Sequence, residues 1–443
     1  MIIRFGTAAS VVRRLSAVPL PRRVRRPCWL GAVHRPWPLS AVLVVALWTA
    51  PARADPQTFD EALARAASDA PRLRASALGV DAARAAAPAA GRLPDPRLKF
   101  GLDGFPVTGP LAGQFGEDDF TALRIGVEQD LPSRARRRAE RDLAEAAVGV
   151  AVADEATALR EVRIAAGVAW IDLYYADRKL AVVDQILATL QPLWEAAPSG
   201  VASGSERPAA ALIPIQLKAA LDDRRSRLLA DRDAARAELT RWTGDPAAST
   251  QGEPPRAGLD PTRLRAGLED LPALRAYAAE RRRADAELDL ARAGRRPDWS
   301  VEASYQRRDP RFGDMVSVGA SVSLPLFQRE RQESLIAARA ADALRVSSER
   351  DATRRRLEAD LRRALARQAT DQDLWIRARD VVLPAVVQQS DLETAAYAAG
   401  RIGIGDIIRA FTAVAEARLD VLDKEAAAVR GAVEISLTYG GDR

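Results

Sequence analysis

The chain carries the same plan twice, about two hundred residues apart. Each half holds two short stretches of alternating apolar and polar residues, a Leu-Pro pair, and a very long Ala- and Arg-rich stretch nearly free of glycine. A glycine then follows, with an acid six residues on. In the first half these landmarks are Leu131-Pro132, Gly200 and Glu206; in the second they are Leu324-Pro325, Gly400 and Asp406. A duplication of this kind constrains the fold strongly, because each copy must be one unit of a repeating assembly. Here the unit is a strand pair joined to a helical hairpin.

The amino terminus has the features of an export signal. Residues 1–36 are rich in arginine, Leu39 to Leu47 is a short apolar run, and Ala52-Arg53-Ala54 is a small-residue cleavage site ahead of Asp55. The apolar run is too short to span a bilayer, which takes about 20 residues. The basic region is long for a leader, which points to a translation start further downstream, near Val33. Removing residues 1–54 takes away nine Arg and no acid, leaving 57 bases against 60 acids, so a net charge of +6 becomes −3. The basic balance therefore belongs to the leader and gives no ground for a nucleic-acid partner. Cys28 and His34, the one cysteine and the one histidine, go with it. The exported chain is expected to have neither disulfides nor a lipid-bearing cysteine.

Without His or Cys there is no Ser-His-Asp triad, no thiolate nucleophile and no imidazole or thiolate metal site. The run Gly400-Arg401-Ile402-Gly403-Ile404-Gly405 lacks dinucleotide-binding spacing and does not follow a strand. No catalytic residue, metal site or cofactor is expected, and the chain does not read as an enzyme.

The alternating stretches are the sharpest structural signal. Trp299, Val301, Ala303 and Tyr305 fall on one face, with Asp298, Ser300, Glu302 and Ser304 on the other. From Val316 to Leu324 the same alternation sets Val316, Val318, Ala320, Val322 and Leu324 against serine and glycine. Leu98, Phe100 and Leu102, then Leu123, Ile125 and Val127, repeat it in the first half. At roughly 8 to 11 residues, each stretch could cross a bilayer as a tilted strand. Six of the nine phenylalanines lie in or beside them, as an aromatic girdle requires. A half-buried soluble sheet shows the same alternation, so the strands alone leave both readings open.

The helical stretches decide between them. Ser133 to about Glu195 and Arg329 to about Ala398 would each reach on the order of 90 to 100 Å at 1.5 Å per residue. Val162, Ile164, Val168, Ile171, Leu173, Leu180 and Val183 recur at helical spacing. Each rod turns at its glycine and returns, over Pro208 to Trp242 and Asp406 to about Leu437. Four strands cannot close a barrel around polar residues, yet a sheet in lipid must close. Three copies would supply about 12 strands, within the known range, and would gather the helical hairpins into a tube.

At this point the chain resembles the TolC-like outer membrane factors of Gram-negative tripartite efflux pumps. The residues that carry the resemblance are Pro94-Asp95-Pro96 with Gly101, Glu128-Gln129-Asp130-Leu131-Pro132 before the cluster Arg134 to Arg141, Leu324-Pro325-Leu326-Phe327, and Tyr397-Ala398-Ala399-Gly400. Gln129-x-Leu131-Pro132 followed by clustered arginine looks most like the cobalt-zinc-cadmium type that serves heavy-metal pumps. The fold this implies is mainly α with membrane β: an internally duplicated protomer of a trimeric 12-stranded outer membrane β-barrel, continued by a long periplasmic α-helical barrel. Its parts would be a signal peptide over 1–54, a first repeat over 55–244 with a hairpin at 97–131, a linker or equatorial segment over 245–261, and a second repeat over 262–443 with a hairpin at 298–324. The resemblance also implies a homotrimer in the outer membrane lipid, an adaptor (membrane fusion) protein in the periplasm, and an inner-membrane RND-type pump. A periplasmic coiled-coil adaptor or scaffold, or the same channel serving drug efflux or type I polypeptide secretion, would share much of this architecture.

By position, the resemblance puts the tip turns at Gly200 and Gly400, with Arg401 and Gly403 beside the second, where adaptor hairpins would dock. It puts the periplasmic gate at Asp406 and, in the other repeat, Glu206. Three copies of a carboxylate would form a cation-filtering ring. The same acids also suit the N-terminal ends of the returning helices, where they complement unpaired N–H groups, so gating and capping both stand. Where some relatives have a second aspartate one turn on, this chain has Arg409. Glu117-Asp118-Asp119 reads as a solvated external loop or, less favourably, a metal site, Arg134 to Arg141 as ion-paired or lipid-facing, and Trp170, Trp194, Trp242 and Trp375 as packing residues.

Overall fold

The computed structural model describes residues 56–202 and 212–440. Ala54, Asp55, Glu206 and Pro208 lie outside the described residues. Helices α1 (Phe59–Asp69) and α2 (Pro71–Ala86) lead to the hairpin β1 (Arg97–Asp103) and β2 (Ala122–Leu131), then to α3 (Arg134–Ala202) and α4 (Leu212–Thr243). The plan then repeats. α5 (Pro261–Ala266) and α6 (Pro272–Ala293) precede β3 (Trp299–Arg307) and β4 (Met315–Val322), and α7 (Gln332–Arg377), α8 (Leu383–Ala398) and α9 (Ile404–Tyr439) follow.

The 69 residues of α3 form an unbroken rod of about 100 Å. Of its spaced apolar positions, Val162, Ile171, Leu173, Leu180 and Val183 are buried. Gly167 lies where α1 and α9 cross this rod: a Cβ there would sit 2.9 Å from Leu437 Cδ1 and 3.2 Å from Phe59 Cζ. The matching rod of the second half is not continuous. A π turn over Ala378–Val382 separates α7 from α8, next to Pro384, which lacks the amide a regular helix would need at that point.

The two hairpins share one antiparallel sheet in the order β1-β2-β3-β4. The seam between repeats is the β2–β3 pairing, from Leu131 opposite Trp299 to Leu123 opposite Arg307. Below the sheet, α2 and α6 lie along α3, and α6 also packs on α7.

The main core gathers around Trp170, which is fully buried. Phe59 meets its ring edge-on at 5.6 Å and Tyr174 stacks on it at 5.4 Å. Its indole N–H donates to the Gln57 carbonyl at 2.9 Å. The Gln57 backbone also pairs with the segment linking the halves, donating to Ser249 O and accepting from Gln251 N, both at 2.9 Å. The Gln57 side chain donates to Asp245 at 2.9 Å. One tryptophan thus fastens the start of the first repeat and the inter-repeat segment to the midpoint of α3. Trp170→Ala should cost about 3–5 kcal/mol through the cavity it leaves. Trp170→Phe, which keeps most of the volume but loses the hydrogen bond, should cost less. Thermal unfolding followed by circular dichroism should rank wild type above Trp170→Phe and Trp170→Ala lowest; equal midpoints would refute this role for Trp170.

Candidate functional site

The register aligns the alternating residues of all four strands into uniform rows. Leu98, Val127, Ala303 and Val318 form one apolar row, and Phe100, Ile125, Tyr305 and Val316 form the next. These rows are uncovered: Val318 is 81% exposed and Phe100 73%. The opposite face is ionic. Arg97 pairs with Asp130 at 2.8 Å, Lys99 with Glu302 at 3.0 Å and with Glu128, and Arg124 with Asp103 at 3.2 Å. Gly126, Ser304, Ser317 and Gly319 lie among them on that face, leaving room beside the charges.

A soluble half-buried sheet turns its apolar face to a core and its polar face to water. This sheet leaves its apolar face uncovered. Its edges also stand open, since β1 and β4 have no further strand partner among the described residues. Open edges are untenable in lipid, so an apolar face of this kind calls for more strands from elsewhere. No described helix is long and apolar enough to cross a membrane.

At the far end of the helices the sequence-predicted residues fall into three groups. Gly400 has φ +70 and closes α8: its N–H bonds to Tyr397 O and that of Arg401 to Ala396 O, both at 2.9 Å. This pair of bonds is a Schellman motif, which needs the left-handed backbone that glycine adopts cheaply. Gly403 is the extended residue before α9, and Arg401 is exposed. Gly200 does not do what Gly400 does. It lies within α3, which continues through Val201 to Ala202, and Glu206 lies outside the described residues.

Asp406 is the third residue of α9 rather than its first. One carboxylate oxygen accepts from the Gly403 N–H at 3.3 Å, and the other takes the Arg409 guanidinium. Capping is therefore what the protomer shows, in an ion pair with both side chains about half exposed. Just inside the turn, Ile404, Ile407 and Ile408 are buried with Ile186, Leu190 and Leu221, binding the two hairpins together near the tip.

The other candidates resolve locally. In the acidic loop, Asp118 accepts from the N–H groups of Phe120 at 3.0 Å and Thr121 at 2.6 Å, which hold its carboxyl below the usual range. No group of three metal-ligating side chains occurs among the described residues. Arg136 pairs with Glu140 at 3.1 Å and with Asp298 at 2.9 Å. Trp170 is core, Trp242 donates to Glu238 at 2.8 Å, and the indole nitrogens of Trp194 and Trp375 are buried. The ionic network of Lys99, Glu128 and Glu302 was not picked out from the sequence. All three were visible on the polar face, but their meeting depends on inter-strand register.

Residues 265–441 match the family model described as outer membrane efflux protein. No curated protein matches the chain in sequence. Among solved structures, CusC, studied for its folding and transmembrane channel formation, shares 15% identity at a TM-score of 0.70, covering 88% of this chain and 93% of its own. The CmeC outer membrane channel of Campylobacter jejuni shares 11% identity at a TM-score of 0.72, covering 86% and 85%. The outer membrane protein VceC of Vibrio cholerae shares 16% at a TM-score of 0.69, covering 86% and 96%. At these identities the likeness is one of fold, and it extends over both repeats, whereas the family match lies in the second. The second repeat thus matches the outer membrane efflux protein family, and both repeats together have the fold of these outer membrane proteins.

Proposed function

We propose that the chain is the outer membrane channel of a tripartite efflux system, a passive duct across the outer membrane and the periplasm rather than an enzyme. The observation that carries this is the sheet: an uncovered apolar face, an ion-paired polar face and two open edges, set on helical rods of about 100 Å. Three copies close the sheet into a barrel of about 12 strands with the apolar rows toward lipid. The charged rows of Arg97, Lys99, Arg124, Glu128 and Glu302 then line the water-filled interior. The helical hairpins assemble into the periplasmic tube, and their tips meet an adaptor and an RND-type inner-membrane pump. The docking turns are the segment after Gly200 and the turn of Gly400, Arg401 and Gly403.

Heavy-metal cations are the cargo we propose, on the likeness of Gln129 to Pro132 and the arginines after them to the cobalt-zinc-cadmium type. Beyond the leader the chain has no His or Cys, so it has no soft ligands with which to choose among transition metals. Selection then rests with the pump. Loss of the chain from its host should lower tolerance to cobalt, zinc or cadmium; unchanged metal tolerance with lowered drug tolerance would redirect the cargo to drugs.

The face assignment predicts opposite outcomes for neighbouring substitutions. Val318→Arg puts a charge on the lipid side, where it costs about 2–4 kcal/mol near the midplane, and should abolish recovery in the outer membrane. Ser317→Arg, on the other face, should assemble. Fractionation with heat-modified electrophoresis reads both, and equal recovery would contradict the assignment.

The gate is proposed as a ring of Asp406–Arg409 pairs, close to neutral as a unit. Asp406→Ala removes the acid and strands the base, so the reconstituted channel should lose cation preference. Arg409→Gln should raise it. Reversal potentials in a salt gradient measure both, and no change in either variant would leave Asp406 a helix cap alone.

A further inference from the structure

The first two turns of α3 hold Arg134, Arg136, Arg137, Arg138 and Arg141, with no acid in the first turn. Bases at a helix N-terminus oppose the macrodipole, so capping does not explain them. Arg136 is taken by Glu140 and Asp298, and Arg138 reaches Asp142 only at 3.9 Å. Arg134 and Arg141 pair with no carboxylate among the described residues.

A second feature converges on the same place. The turn after α2 presses against α3 at Gly91, where a Cβ would lie 2.1 Å from the Arg137 carbonyl oxygen. The close approach forms a cavity lined by Pro88, Gly91, Leu93 and three arginines, Arg92, Arg137 and Arg141, with no carboxylate in its wall. Two of these arginines are steadied by backbone: Arg92 Nε donates to Pro88 O at 2.7 Å and Arg137 Nε to Gly91 O at 3.0 Å. Their terminal nitrogens and the whole Arg141 fork remain for an anion, and guanidinium forks match phosphate oxygens in pairs.

Position identifies the anion. The cavity lies where helix gives way to strand: β1 begins at Arg97, and α3 begins three residues after β2 ends. Its lining thus flanks the strand ends in sequence, at the end of the sheet where Leu131 pairs with Trp299. Arg136 is directed to Asp298, which alternates onto the polar face of the sheet. At 100° per residue, Arg134 and Arg141 lie roughly 140–160° around the helix from it, toward the apolar side.

We propose that Arg92, Arg137 and Arg141 bind the headgroup phosphate of a membrane glycerophospholipid, one per copy, with its acyl chains along the apolar face of β1 and β2. Basic groups at this depth draw anionic lipid, so phosphatidylglycerol should bind best. The proposal rests on that face being the bilayer face.

The test is native mass spectrometry of the detergent-purified protein with added phosphatidylglycerol, comparing wild type, Arg92→Gln/Arg141→Gln, Arg141→Lys and the exposed Arg138→Gln. Wild type and Arg138→Gln should retain up to one lipid per chain. The double variant should bind at least about tenfold more weakly, as expected when hydrogen bonds to a charged group are lost, and Arg141→Lys should keep most of the affinity. Millimolar inorganic phosphate should not displace the lipid. Undiminished retention by the double variant, or full displacement by inorganic phosphate, would overturn the lipid site. If the double variant does not fold, the contrast between Arg141→Gln and Arg141→Lys decides on the same terms. Quenching of Trp299 fluorescence by brominated lipid, read against Trp299→Phe, tests the bilayer face separately. Quenching with unchanged lipid retention removes only the phosphate site, whereas no quenching removes the membrane reading beneath it.

Discussion

The structure depends on a backbone requirement. Every N–H and C=O within the hydrocarbon region of a bilayer must be paired inside the protein, since lipid offers no partner. The apolar rows through Leu98, Val127, Ala303 and Val318 commit the sheet to lipid, while β1 and β4 leave their outer edges open within one copy. If three copies close the sheet as proposed, assembly is part of folding. The duplication follows from the same need, because each repeat contributes a hairpin too narrow to close and a helical hairpin too exposed to stand alone.

The two ends of the molecule answer to different physics. At the sheet, ion pairs among Lys99, Glu128 and Glu302 hold cross-strand neighbours together on the polar face, where charges belong if that side meets water. At the tip, the isoleucines of α9 pack against α3 and α4, and the Gly400 turn is closed by backbone hydrogen bonds. Between them, Trp170 and Gln57 fasten the inter-repeat segment to α3.

Much of this was legible in the sequence because it is periodic. Alternation with period two placed the strands to within a few residues, and glycine-poor stretches with apolar residues at helical spacing marked the rods. What was not legible depends on contacts between distant segments. The meeting of Lys99 with Glu302 requires the β2–β3 register, and the cavity of Arg92, Arg137 and Arg141 requires the Gly91 turn to press on α3. The apparent equivalence of Gly200 and Gly400 was misleading: both precede an acid by six residues, but Val201 and Ala202 carry the helix past Gly200, while Gly400 reverses its backbone. Asp406 matched both a gate and a cap because one carboxylate can cap its own helix and still project into a ring.

In the proposed trimer, β1 of one copy pairs with β4 of the next until three copies close the barrel. Cys28 is the one cysteine of the sequence, so Cys28→Ser gives a background free of cysteine for disulfide trapping. A cysteine replacing Phe100, combined in turn with one replacing Val316, Val318 or Ala320, should give oxidised dimers and trimers from outer membranes, and nothing larger, for at least one pair. Monomers alone across the whole set, in protein recovered from the outer membrane, would contradict closure by edge pairing.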